Sequence, residues 1–231
     1  MIKIENMQSY GWETAIRGMR NAMNSWNKSD SDFSCKDCEG CYYIGTIQTQ
    51  KYGGVVDNWC QHTALRIGPN DLALMQKLIK AGTDHSKFMR QIIVSMDITA
   101  PLYWWKEFDT YKVGTVANSC STMHKIHSKP FTMADFSCER MDDHAREVLF
   151  YLVSYLENWR IAYNDTKNKT LWHNIIQTLP SSYNQRRTVT LNYAVLRNMH
   201  HARENHKLYE WQDFCHEIST LPYAKELICY E

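Results

Sequence analysis

The sequence has no surplus of charge and no segment built for a membrane. Its 26 basic residues meet 25 acidic ones, for a net charge of +1. There is no long basic run, so the broad electrostatic footprint of a nucleic-acid-binding protein is missing and nucleic acid is not an expected partner. No apolar run is long enough to span a bilayer, and the start, Met1-Ile2-Lys3-Ile4-Glu5-Asn6, has no signal-peptide character. These absences predict a cytoplasmic protein without a membrane partner. Internal repeats and low-complexity linkers are also lacking. The 231 residues therefore suffice for one large domain with a real core.

Aromatic residues are plentiful, at 13% with eight Trp and fourteen Tyr, which favours a ligand-binding or oligomeric, helix-rich protein. Eight cysteines stand at positions 35, 38, 41, 60, 120, 138, 215 and 229. In a cytosolic chain they point to metal binding or to free buried thiols. Cys35, Cys38 and Cys41, at two-residue spacings with Cys60 or His62 beyond, can converge on one ion or cluster. The segment from about 33 to 62 has the marks of an insert without a core of its own, so structural Zn is the economical reading. An iron–sulfur cluster uses the same spacings, although its usual fourth Cys-Pro is absent. Free thiols are the third alternative.

Hydrophobic spacing predicts an α+β protein, mostly helical around a small central sheet. Residues 8–26 read as a helix, and short hairpins are plausible around 43–49 and 55–56. A helix opens after Gly68 and Pro69 with Asn70 or Asp71 as its cap, buries Leu72, Met75, Leu78 and Ile79, and ends at Gly82. The best strand is 91–98, rich in β-branched residues. Pro101 then suits the first turn of a helix that carries Trp104, Trp105 and Phe108 into the core. Further helices are expected at 141–163, with Val148, Leu149, Leu152, Tyr155, Leu156, Trp159 and Tyr163 on one side, and at 167–179, 186–205 and 207–220.

The run that follows Pro101 carries the functional signal. It reads Pro101-Leu102-Tyr103-Trp104-Trp105-Lys106-Glu107-Phe108, one residue, then Thr110-Tyr111-Lys112. Val113-Gly114-Thr115 follows, then Asn118-Ser119, Ser121 and Met123-His124. Bulky aromatics running into hydroxyls and amides suit a pocket for a planar polar ligand; the bland alternative is a buried corner followed by a polar turn. This order resembles the signature of the flavin-dependent thymidylate synthases: proline, aliphatic, aromatic, two apolar residues, Arg-Gln-Trp, one residue, Arg-His-Arg, then Ser, Asn-Glu, Ser and Arg-Tyr. One extra residue near Ala117 keeps Asn118 in register. The segment from Leu78 to Arg90 falls where that family has its Gly-His and Phe-Glu-His element. Leu179-Pro180, Asn192, Arg203, His206 and Glu210 fall in the order of its C-terminal nucleotide-binding helix. The resemblance spans roughly residues 70–220.

It implies a single domain over 1–231, interrupted by the cysteine insert, and a homotetramer whose ligand pocket forms between subunits. It also implies FAD as cofactor, with NADPH and methylenetetrahydrofolate as co-substrates in the methylation of dUMP at C5. No cysteine nucleophile is expected on the uracil ring, and Cys120 reads as a small buried residue. By resemblance, Lys112, Arg203, Arg90 and the hydroxyls of Ser119 and Ser121 would meet phosphates, with Thr110 and Tyr111 at the signature's charged positions. Asn118 and Asn192 suit base or ribose hydrogen bonds. For Arg203 the alternative is a solvated helix end where its charge complements the dipole. His124 and His127 can face the pocket, whereas His200, His201 and His206 are expected at an exposed helix end.

The departures from the signature define a second functional class. Thr110, Tyr111 and Lys112 keep one cation where the family has Arg-His-Arg, losing the guanidinium forks that grip phosphate in two-point hydrogen bonds. Ser119 stands for Glu, Met123 for Arg, and Arg90 for a His. A diverged nucleotide-binding or protein-interaction module that keeps the fold, with a metal-stabilised insert, is therefore the alternative to the enzyme.

Overall fold

Why the chain folds as it does is clearest at its two central strands, β2 (Ile93–Pro101) and β4 (Asn184–Asn192). In β2, Val94, Met96, Ile98 and Ala100 are buried and Ile93, Ser95, Asp97 and Thr99 are half-exposed. In β4, Gln185, Val189 and Leu191 are buried while Arg186, Thr188 and Thr190 are exposed. This period of two belongs to a sheet with one face on a core. The two strands pair antiparallel from Ile93 opposite Asn192 to Pro101 opposite Asn184. β1 (Lys3–Tyr10) flanks β2, and the short β3 (Val116–Ser119) flanks β4, giving the order β1-β2-β4-β3.

The computed structural model describes residues 2–32 and 66–230. The cysteine insert with Cys35, Cys38, Cys41, Cys60 and His62, and the hairpins expected within it, lie outside the described residues. Around the sheet stand α1 (Trp12–Asn21), α2 (Pro69–Lys80), α3 (Leu102–Phe108), α4 (Asp143–Thr166), α5 (Lys169–Thr178), α6 (Tyr193–Arg203), α7 (Tyr209–Ile218) and α8 (Ala224–Leu227). The α+β expectation of helices over a small sheet holds. No described helix is long and apolar enough to cross a membrane.

Several local expectations are corrected. Residues 8–26 are not one helix: β1 runs to Tyr10, and α1 begins only after Gly11. Gly11 has φ +84°, and a Cβ there would sit 2.2 Å from the carbonyl oxygen of Gln91, so the turn between strand and helix admits only glycine. The stretch 186–205 is likewise strand and then helix, since the alternating Arg-Thr-Val-Thr-Leu segment pairs with β2. α2 is not capped by Asn70 or Asp71. Its amides at Asn70 and Asp71 donate to the carboxylate of Asp30, at 2.9 and 3.1 Å. Asp71 is instead fully buried; its carboxylate accepts from the Arg20 guanidinium at 2.6 Å and from the Ser29 and Ser31 hydroxyls at 2.7 and 2.6 Å. Burial pushes this carboxyl up, yet the hydrogen bonds from Ser31, Ser29 and Arg20 outweigh it and hold it below the usual range. On α4 the buried residues are Leu149, Val153 and Leu156, while Val148 and Tyr155 face outward.

Two apolar clusters result. The larger joins α1, α2, α3, α6, α7 and the inner sheet face, with Trp104, Trp105, Phe108, Trp211 and Phe214 at its centre. The smaller packs α4 and α5 against Phe131, Phe136 and Tyr183.

Candidate functional site

α3 is short because its role is positional. Trp104, Trp105 and Phe108 are driven inward, which leaves Tyr103, Glu107 and Tyr111 on the side facing α6 and α7. The Glu107 carboxylate is a hub. It accepts from the Arg203 guanidinium at 2.8 Å and the Trp211 indole at 3.0 Å, and His206 Nε2 lies 3.3 Å away. Arg203 also donates to the Tyr111 hydroxyl at 3.1 Å and stacks over the Trp211 ring. Two predicted ligand residues, Tyr111 and Arg203, are thus engaged within the fold, and His206 joins them in place of riding an exposed end. Tyr103 donates to Glu210, which ties α3 to α7.

Beyond α3 the chain turns through Gly114, whose φ is +76° and whose missing Cβ would lie 2.9 Å from the Asn192 amide nitrogen. The turn encloses a small hollow of about 290 Å³ between Phe108, Asp109, Tyr111, Lys112, Thr115 and Ala117. Thr115 Oγ1 is enclosed there and has no hydrogen-bond partner among the described residues. The exposed Lys112 beside it forms no ion pair among them. A hydroxyl donor without an acceptor next to a free cation fits an oxygen-rich anion such as a phosphate.

On the other side of Gly114 lies a cleft of about 400 Å³ lined by Arg90, Gly114, Asn192, Val195 and Arg197. Asn192 caps α6 by accepting from the Val195 amide at 3.1 Å, which leaves its side-chain NH2 toward Gly114. Arg90 is exposed at the end of a 3-10 turn, Lys87–Arg90. These two predicted residues come together although 102 positions separate them (192 − 90).

Asn118 and Ser119 lie on β3, opposite Thr188 and Arg187, and every residue of that outer strand is exposed. Ser121 Oγ accepts from the amides of Met123 and His124, so it closes a turn. Thr110 Oγ1 donates to the Glu107 carbonyl at 2.7 Å. Cys120 is exposed, which corrects the expectation of a buried thiol; it follows the outermost strand, where nothing in the described chain covers it. His124 and His127 line a different hollow with Tyr163, Lys169 and Trp172. A cavity of about 560 Å³ between Tyr103, Ser182, Lys207 and Asp213 holds none of the predicted site residues.

Sequence reading missed Glu107 and Arg187. Arg187 pairs with Asp109 at 2.6 Å and lies over the Trp105 ring, fixing the turn that carries Lys112. For Glu107 a signal existed: it puts a carboxylate where the resembled signature has an amide.

The arrangement of an antiparallel four-stranded sheet under helices is the fold of the flavin-dependent thymidylate synthases. A crystal structure of the enzyme ThyX from Helicobacter pylori, complexed with FAD and dUMP, superposes with a TM-score of 0.63 at 15% identity, covering 98% of this chain and 97% of that one. A second structure of ThyX from that organism, also with FAD and dUMP, gives 0.65 at 16% identity over 100% of both chains. No protein-family model and no curated protein matches the sequence. At such identity the likeness establishes the fold.

Proposed function

We propose that this chain binds a pyrimidine deoxynucleotide of the dUMP type together with FAD, and transfers a one-carbon unit from methylenetetrahydrofolate with NADPH as reductant. The observation that carries the reading is the Thr115 hydroxyl beside Lys112, neither of them paired among the described residues, on a fold shared end to end with proteins solved with FAD and dUMP. Bound flavin would supply hydride transfer. The chain's own part is binding and orientation. Lys112 offers charge and Thr115 a hydroxyl proton to a phosphate; Asn118, Ser119 and Ser121 offer neutral hydrogen bonds along the same edge. Arg90 and Asn192 present a cation and an amide to phosphate and to base or ribose. A homo-oligomer, a tetramer in this reading, would cover the exposed β3 edge. The cytoplasm is the proposed compartment, and the insert's cysteines are the proposed holders of Zn or an iron–sulfur cluster.

The Glu107–Arg203 pair favours a second reading. A guanidinium already held by a carboxylate is less available to a phosphate, as expected of a nucleotide-binding or protein-interaction module that has kept the fold and dropped the transfer chemistry. One preparation separates the two. The enzyme reading expects a yellow protein, or one that takes up FAD on titration, with NADPH oxidation that depends on dUMP. Flavin or dUMP binding without turnover selects the diverged nucleotide binder, and a colourless protein that binds neither overturns the enzyme and nucleotide-binding readings and leaves the protein-interaction module. Metal and labile-sulfide analysis of the same sample decides the insert.

A further inference from the structure

The last turn of α6 brings His200, His201 and Glu204 together, with their donor atoms all within 4.8 Å of one another. The spacing explains the convergence. At about 100° per residue, Glu204 projects between the two histidines, so three donors share one stripe of the helix. Their rings stand 5.7 Å apart, and His200 Nδ1 lies 3.5 Å from the Glu204 carboxylate.

Two further observations point toward a cation. His200 Nδ1 is enclosed and makes no hydrogen bond among the described residues, the Glu204 carboxylate at 3.5 Å being its nearest charged group. The site also sits at a helix C-terminus, where the backbone dipole favours positive charge. The nearby guanidiniums are committed elsewhere: Arg197 to the carbonyls of Leu227, Ile228 and Tyr230, and Arg203 to Glu107.

We infer that His200, His201 and Glu204 form a divalent transition-metal site of the Zn type, built from residues other than the insert's cysteines and other than those lining the nucleotide cleft. Two imidazoles and a carboxylate are a donor set suited to Zn2+ and its congeners, with the remaining coordination position left to water. Bonds of about 2.0–2.1 Å to a tetrahedral ion place donors roughly 3.4 Å apart, so from separations within 4.8 Å closure takes a side-chain adjustment of little more than an ångström.

Full-length protein is loaded with Co2+ and, separately, with Zn2+, and compared with His201→Ala and Glu204→Gln, both at exposed positions where folding is not at stake. The proposal expects the Co2+ difference spectrum, parent minus variant, to show d–d absorption without a thiolate charge-transfer band, which tells this site from the cysteine set. It also expects each variant to bind one zinc fewer per chain, or that zinc more than about tenfold weaker, with its circular dichroism unchanged. Equal zinc stoichiometry and affinity in parent and variants, or a cobalt difference spectrum that is flat or carries only thiolate bands, would overturn it.

Discussion

Asp97 shows how much one side chain can gather. Its carboxylate accepts from Thr188 Oγ1 at 2.5 Å, from Asn6 Nδ2 at 2.8 Å and from Arg186 at 2.8 Å, joining β1, β2 and β4 on the solvent face of the sheet. Asn6 reaches it because its φ of 54° falls at the irregularity in β1 pairing between Glu5 and Gln8. The hydrogen bonds from Thr188, Asn6 and Arg186 hold its pKa down at about 2. A depressed carboxylate contributes stability above its unfolded value, near 3.9, and loses it as the pH falls through the folded one. Stability should therefore drop between about pH 4 and pH 2, and Thr188→Val should flatten that drop. Urea midpoints measured across the range check it; identical pH profiles for parent and variant would refute the assignment. Glu107 makes the complementary point. Its identity is plain in the sequence, but its partners Arg203 and Trp211 lie about a hundred positions away.

Among the elements, α3 was the most legible. Trp104, Trp105 and Phe108 follow a proline at helical spacing, and all three are buried as that pattern requires. Trp104 packs against Trp105, Phe108, Trp211 and Phe214, yet its indole N–H has no partner among the described residues. Trp104→Ala should cost about 3–5 kcal/mol through the cavity it leaves. Trp104→Phe keeps most of the ring contact and removes an unsatisfied donor, so its cost should stay below about 2 kcal/mol. Denaturant unfolding of both variants tests the ordering; equal losses would mean that the indole N–H does bond a partner. β4 was the least legible element. Its alternation of Arg186, Thr188 and Thr190 with Val189 and Leu191 runs straight into the helical pattern of α6, and no glycine or proline marks the junction. The chain stops being strand where Asn192 turns to cap α6 and the partner strand β2 begins. Pairing with a distant segment fixed that boundary.

For the molecule as a whole, the surface carries features that a lone chain does not explain. Val148, Tyr151 and Tyr155 are each more than half exposed along one stripe of α4, and β3 is exposed throughout. With the oligomer proposed above, sedimentation should give a multiple of the single-chain mass, and Tyr151→Glu with Tyr155→Glu should shift it toward one chain without loss of helicity. A parent that already sediments as one chain would remove the oligomer from the proposal.

The sequence by itself determined the class of fold and most of the helices, because apolar spacing and the proline and glycine boundaries are local properties. It also carried the order of residues behind the thymidylate synthase resemblance. Only the tertiary structure decided which predicted residues stay available to a ligand. Arg203 is spent on Glu107 and on the Tyr111 hydroxyl, Arg90 and Asn192 meet across one cleft, and Lys112 is left beside a Thr115 hydroxyl that has no partner among the described residues. Availability depends on which charges and donors find partners at long range. That is settled by the sheet pairing and helix packing, which local spacing does not encode.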